Sequence, residues 1–266
     1  MKLAVIQFCP AFCDREESKR RLDPLIDSCR GADLIVLPEL SNSGYNFKSR
    51  EEAISCAEPV DSGPFLDHLT KKCGELDCEI VAGFAERAGD RLYNSAALLS
   101  AGGLEGWYRK MHLFVDEPDY FHPGDLGLPV FERAYGTIGI LICFDWCFCE
   151  TWRILALKGA DLICHPSNLV IPGKAQKAVP VHAMTNRVFI ATANRIGTER
   201  ELTFTGLSLI ADPGGEVLSQ ASQSNAEAVV VEIDLAEARD KSMTRRNDAF
   251  ADRRPDCYGE LLSPSG

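Results

Sequence analysis

The chain has 266 residues, a net charge of −11, 45% hydrophobic residues and 25% charged ones. That length allows one large domain of about 200–250 residues or two small ones, and the apolar content is enough for a sizeable core. The acidic balance argues against a nucleic-acid partner, and the lack of any 18-residue apolar stretch argues against a membrane span.

The chain enters at once into KLAVIQF (2–8), a strand pattern too short, and too soon followed by CDREESKRR, to read as a secretion signal. A helical pattern follows at 15–30, then the buried-strand run DLIVLP (33–38). The next helical pattern covers 62–77, with Asp61 or Ser62 expected as its N-cap. EIVAGFAE (79–86), LYNSAALLS (92–100) and LEGWYRK (104–110) read as strands joined by the tight turns AGDR and SAGG. GTIGILIC (136–143), a helix at 148–159, DLICHP (161–166), a helix at 173–187 and VFIATANRIG (188–197) alternate after that. TGLSLIAD (205–212), the hairpin turn DPGG (212–215), AVVVEID (228–234) and a helix at 235–242 complete the series. Hairpins beside crossover helices predict mixed sheets, covered by helices in one layered α/β domain over 1–245. Residues 246–266 lack periodicity and carry Phe250 and Tyr258, as expected of an arm lying on a neighbouring subunit.

Eleven cysteines are present, at spacings that match no usual zinc motif, so neither a metal nor another cofactor is expected. The expectation is reduced thiols, mostly small buried apolar groups, in a cytoplasmic protein.

Three polar residues stand where apolar runs end. Glu39 ends DLIVLPEL, Lys110 ends LEGWYRK, and Cys143 ends GTIGILIC. A carboxylate, an ammonium and a thiol supply a base, a charge stabiliser and a nucleophile, enough for acyl transfer. Cys143 falls on a strand-to-helix turn, where following backbone N–H groups can bind an oxyanion and a lysine and helix N-terminus favour thiolate. Each residue also has a plainer reading: a buried cysteine, a glutamate in an ion pair, a solvated lysine.

LIVLPEL, YRKMHLF and GILICFDWCFCE together resemble, in order and spacing, the three catalytic motifs of the nitrilase, or carbon–nitrogen hydrolase, superfamily. IQFCP, GYNF (44–47), YNSA (93–96), HPGD (122–125), ALKGADLICHPSN (156–168), NRVFIATANRIG (186–197) and FTGLSLIADPGGEVL (204–218) extend the resemblance over almost the whole chain. HLF, CFDW and HPSNL look most like archaeal-type aliphatic nitrilases and amidases. The resemblance implies a four-layer α-β-β-α sandwich and a homodimer or higher homo-oligomer. It implies Glu39 as general base, Cys143 as thioester-forming nucleophile, and Lys110 with the Phe144 N–H as oxyanion binder. Glu117, seven residues after the lysine, falls where a second glutamate positions substrate or water; it can equally be read as one acid of the loop VDEPD. Tyr45, Tyr120, Trp146 and Asn168 fall near pocket segments, although aromatics at such spacing also serve as packing.

The expected reaction is hydrolysis of a small aliphatic amide or nitrile by water, releasing ammonia and a carboxylic acid. An ω-amidase and an N-carbamoyl amine amidohydrolase are the alternatives. Trp146 and Cys147 stand where relatives acting on N-carbamoyl amino acids carry carboxylate-gripping arginines, which disfavours an acidic carbamoyl substrate. An acyltransferase using the same thioester is disfavoured by the missing membrane span. A non-catalytic binding protein on the same scaffold should have lost one of the three polar residues.

Overall fold

A computed structural model describes residues 1–263. The first half runs β1 (Lys2–Gln7), α1 (Arg15–Ser28), β2 (Leu34–Val36), α2 (Arg50–Cys56), α3 (Pro64–Leu76), β3 (Glu79–Ala88), β4 (Arg91–Ser100) and β5 (Gly103–Arg109). Then come β6 (Val130–Arg133), β7 (Gly136–Ile140), α4 (Cys149–Leu157), β8 (Leu162–Ser167), α5 (Lys174–Asn186) and β9 (Phe189–Asn194). A short ribbon, β10 (Thr198–Glu199) and β11 (Leu202–Thr203), precedes β12 (Leu209–Ala211), β13 (Val217–Gln220) and β14 (Glu227–Glu232).

Two six-stranded mixed sheets form, in the orders β14-β1-β2-β3-β4-β5 and β13-β12-β9-β8-β7-β6. Alternation along the strands builds the layers. Ala4, Ile6, Ile35, Leu37 and Ile80 face outward onto Leu22 and Ile26 of α1 and Phe65, Leu69 and Cys73 of α3. Leu3, Val5, Leu34, Val36 and Val81 face inward and share a core with Ile138, Ile140, Leu162 and Cys164 of the second sheet. Trp152 and Leu155 of α4 and Val179 and Ala183 of α5 complete that core. The result is the expected α-β-β-α sandwich of mixed sheets.

Several expectations fail locally. Neither Asp61 nor Ser62 caps α3: Gly63 is the N-cap, Pro64 opens the helix, and the buried Glu58 carboxylate accepts from the N–H groups of Phe65 and Leu66 at 3.2 and 3.1 Å. A remote glutamate therefore does the work of a local cap. The helix expected at 235–242 is a 3-10 turn, Leu235–Arg239. Helix α2 went unanticipated, although Ser49-x-x-Glu52 is a start signal and the Ser49 hydroxyl does accept from Glu52 N. Cys13 and Cys56 are joined in a disulfide, against the expectation of reduced thiols throughout; nine cysteines remain free. The bond ties the loop after β1 to the end of α2, a pairing 43 residues apart that spacing alone does not reveal.

Phe250 packs within its own chain, beneath Arg153 and Lys241. Beyond it, residues 251–263 are largely exposed, and 264–266 of the expected arm lie outside the described residues. No described helix is long and apolar enough to cross a membrane.

Candidate active site

Glu39 leaves the C-terminal end of β2 and bends immediately, with Leu40 in the left-handed region at φ +50°. The bend lies against Gly83 of β3, where a Cβ would sit 2.4 Å from the Glu39 Cα. Only glycine permits that approach. Lys110 follows β5 and is fixed by its N–H donating to the Asn94 carbonyl at 2.7 Å.

These two side chains meet in the interior. The Lys110 Nζ donates to Glu39 Oε1 at 2.7 Å and to Glu117 Oε1 at 2.6 Å, with Lys110 and Glu39 wholly buried and Glu117 nearly so. Asn94 Nδ2 also donates to Glu39 Oε1 at 2.7 Å, and the Tyr45 hydroxyl donates to Glu117 Oε1 at 2.8 Å. Both carboxylates keep a second oxygen, Oε2, buried and without a partner. Each of these two oxygens can accept a further hydrogen bond.

Electrostatics follow from that burial. Burial alone pulls the Lys110 ammonium towards neutrality, but the Glu117 and Glu39 carboxylates reverse this and hold its pKa above the usual lysine range. Burial lifts Glu117 to about 7, with Lys110 opposing and Glu39 adding to the rise. Tyr45 is pushed well above the usual tyrosine range by burial and by the same carboxylates.

Cys143 opens a 3-10 turn, Cys143–Cys147, between β7 and α4. Its φ is +41°, a left-handed conformation that costs a non-glycine residue about 1–3 kcal/mol. Two clamps hold it there. Asp145 Oδ2 accepts from Ile142 N at 2.9 Å and from the Tyr108 hydroxyl at 2.8 Å. On the other side, buried His165 of β8 reaches the Cys143 carbonyl through Nε2 at 2.9 Å, while its Nδ1 meets the Thr192 hydroxyl at 3.1 Å. The carbonyl can only accept, so Nε2 carries the proton and Nδ1 accepts from Thr192.

The Cys143 thiol is not poised as thiolate, contrary to the sequence expectation. Burial and the Glu39 charge raise its pKa well above the usual thiol value, and Lys110 only partly opposes them. The negative charges of Glu39 and Glu117 around the same lysine offset the help that its ammonium gives the sulfur.

Two cavities meet here, sharing Phe114 and Val170. A chamber of about 20 Å³ is lined by Cys143, Phe144, Trp146 and Asn168. The Asn168 side chain is buried with both its oxygen and nitrogen unpartnered. A larger cavity of about 170 Å³ is walled by Tyr45, Phe47, Glu117, Tyr120, Glu201 and Leu202 among others. Seven of the nine anticipated residues line these two cavities. Glu39 and Lys110 do not; they lie wholly buried behind Glu117, to which the Lys110 Nζ is bonded. Tyr120 is the least committed of the seven, since its hydroxyl donates to the Phe47 carbonyl at 2.9 Å. Asn94, Asp145 and His165 were not anticipated as site residues. They lie within YNSA, CFDW and HPSN, segments that the sequence had singled out for the resemblance, but these three residues themselves were given no role.

Comparison with known proteins agrees with this architecture. The carbon-nitrogen hydrolase family matches residues 2–242. A protein of Pyrococcus abyssi named nitrilase is 46% identical over 97% of this chain and 99% of its own length. An Arabidopsis thaliana N-carbamoylputrescine amidase is 33% identical over 89% of this chain and 86% of its own. Among solved structures, a carbon-nitrogen hydrolase from Helicobacter pylori G27 superposes with a TM-score of 0.85 at 27% identity, covering 99% of this chain and 98% of that one. With its two mixed sheets and its match over nearly the full length, the chain belongs to the carbon-nitrogen hydrolase family of enzymes.

Proposed function

We propose that this enzyme hydrolyses the carbon–nitrogen bond of a small aliphatic amide or nitrile through a thioester on Cys143. The observation that carries the reading is the buried Lys110 ammonium, bonded to both Glu39 and Glu117, in a cluster whose charges all act on the Cys143 thiol. Glu39 takes the Cys143 proton as sulfur attacks the carbonyl carbon; the raised thiol pKa makes such a base necessary. The developing oxyanion is held by the Lys110 ammonium and the Phe144 N–H. Collapse breaks the C–N bond, and the proton held by Glu39 passes to the departing nitrogen, giving ammonia and the thioester. Glu39 then deprotonates water, which attacks the thioester; carboxylic acid leaves and the thiol recovers its proton. Glu117, with its free Oε2, positions substrate and water. A nitrile enters the same path through a thioimidate, to which water adds before ammonia departs.

The cavity walls favour a substrate with a neutral or cationic tail. The residues lining the two cavities include Asp116, Glu117 and Glu201 and no lysine or arginine. A carboxylate tail, as in an ω-amide, would meet acids and aromatic faces with no bidentate partner. Of the two alternatives, the N-carbamoyl amine is therefore the better supported, in line with the N-carbamoylputrescine amidases among the relatives.

We also propose a homodimer. Ile154 and Leu157 of α4 and Val181 and Met184 of α5 expose apolar surface on one outer layer, and the arm carries the exposed Leu261 and Leu262. Nine free thiols support a cytoplasmic setting, against which the Cys13–Cys56 bond counts.

The central test is ammonia release from short amides, nitriles, ω-amides and carbamoyl amines. Cys143→Ala should abolish it while leaving the fold intact; undiminished release by the purified variant would refute the reading.

A further inference from the structure

Behind Tyr45 lies a second buried ion pair that the proposed chemistry does not use. Arg195, wholly buried just after β9, donates from Nη1 to Glu199 Oε2 at 3.0 Å. Its guanidinium lies 3.9 Å over the Phe204 ring, and Nη2 approaches the Cys9 sulfur at 3.6 Å. Glu199 sits on the β10–β11 ribbon whose residues Glu201 and Leu202 wall the larger cavity. Its other oxygen, Oε1, accepts from the backbone N–H groups of Tyr45 at 2.8 Å and Asn46 at 2.5 Å. Asn46 Nδ2 returns a bond to the Glu199 carbonyl at 3.1 Å.

The sequence makes room for this approach. Gly44 has φ +78°, and a Cβ there would lie 2.6 Å from Glu199 Oε2. The ring of Tyr45 meets Phe204 edge-on at 6.0 Å, so the tyrosine is gripped at its backbone by Glu199 and at its ring by the residue beneath Arg195. Its hydroxyl is then aimed at Glu117 Oε1, the oxygen that also receives the Lys110 ammonium.

A buried ion pair is weak evidence for stability, because desolvation consumes much of the attraction between its partners. What this pair visibly achieves is geometric: a charged acceptor that seizes two consecutive N–H groups leaves the loop one position. We propose that Arg195 and Glu199 are positioning residues for the hydrolysis, acting through the Tyr45 loop to fix Glu117 against Lys110. The inference rests on the catalytic reading above.

The test uses three variants. Arg195→Met with Glu199→Gln removes both charges together and strands neither. Glu199→Asp keeps the charge opposite Arg195 but withdraws the carboxylate from Tyr45 N and Asn46 N, and serves if the double variant does not fold. Tyr45→Phe deletes only the hydroxyl. Each should lower kcat about tenfold, more than it changes KM, as misaimed but bound groups do. The ascending limb of the pH–rate profile should move to higher pH in all three. Glu117 faces Lys110, Glu39 and Tyr45, and it loses the hydroxyl that favours its ionised form. Combining Tyr45→Phe with the pair variants should cost little more than either alone, since all act through one bond. Wild-type kcat and pH profile in a folded pair variant, or losses that simply add to that of Tyr45→Phe, would overturn the proposal. Failure of the catalytic reading shows differently, as turnover that survives Cys143→Ala.

Discussion

Asp145, two residues after Cys143, hydrogen bonds His112, two residues after Lys110. Its Oδ1 accepts from the His112 backbone N–H at 3.2 Å and ring Nδ1 at 2.8 Å, while Oδ2 takes the Tyr108 hydroxyl and Ile142 N–H. Tyr108 and His112 flank the lysine, and Ile142 precedes the cysteine. One buried carboxylate therefore sets the distance between the turn carrying the thiol and the segment carrying the ammonium.

Four donors converge on that carboxylate, so Asp145→Asn brings two more donors where none can be accommodated. An unsatisfied buried donor costs about 1–3 kcal/mol. The variant should lose about 2–4 kcal/mol on that scale, with a Tm some ~5–15 °C lower by calorimetry. Because the thiol and ammonium separate, kcat/KM should fall about a hundredfold even well below the new Tm. Activity within twofold of wild type would show that the two segments are positioned independently.

Glu117 titrates near 7 because burial penalises its charge. The sign follows directly. A carboxyl raised above its unfolded value is stabilising as the neutral acid below about pH 4.5 and loses that contribution as pH climbs through about 7. Glu117→Gln keeps a neutral group at every pH. The Tm difference between variant and wild type should therefore shift in the variant's favour between pH 5 and pH 8. The ascending limb of wild-type kcat/KM should lie near neutrality and belong to Glu117, and Glu117→Gln should displace it. A Tm difference that is flat with pH would contradict the buried, raised carboxyl.

The sandwich was legible because both sheets bury two faces, leaving Val- and Ile-rich runs such as DLIVLP and GTIGILIC unmistakable. Glu39, Lys110 and Cys143 were legible only through their three motifs taken together, since each alone closes an apolar run that also admits a plainer reading. Other features depend on partners distant in the chain. Glu58 replaces the α3 cap from five residues before the N-cap Gly63, and Cys13 meets Cys56 across 43 residues. Glu199 reaches Tyr45 across 154, a contact that no local period encodes. The thiolate expectation failed because folding buries the thiol next to the Glu39 charge, which Lys110 only partly offsets, and neither the burial nor that neighbour is encoded around Cys143.

A thiol held neutral by its surroundings needs its base. On the proposed mechanism, in which Glu39 removes the proton as sulfur attacks, iodoacetamide should alkylate Cys143 readily in the wild-type enzyme. In Glu39→Gln the single-turnover alkylation rate at pH 7 should drop at least about a hundredfold, in the range typical of a lost general base. The exposed Cys147, Cys149 and Cys257 should react at unchanged rates in the same sample, as peptide mapping would show. Equal alkylation of Cys143 in both proteins would mean that the thiolate forms without Glu39.

The contacts of His165 fit a positioning part for the proposed nucleophile rather than that of an acid or base. Burial depresses its pKa to about 4, so it stays neutral through the working range, and its Nε2 proton is committed to the Cys143 carbonyl. Its loss should relax the strained turn. His165→Ala should lower kcat about tenfold or more with a smaller change in KM, while the shape of the pH–rate profile between 6 and 8 stays as in wild type. The stability linkage has the opposite sign to that of Glu117. A depressed histidine contributes stability above its unfolded pKa, about 6.5, which is lost as pH falls through 4. The Tm of wild type should fall over that window by more than the Tm of the variant. A variant that instead altered the pH–rate profile near neutrality would assign His165 a proton-transfer role and remove the clamp from the account of how Cys143 is held.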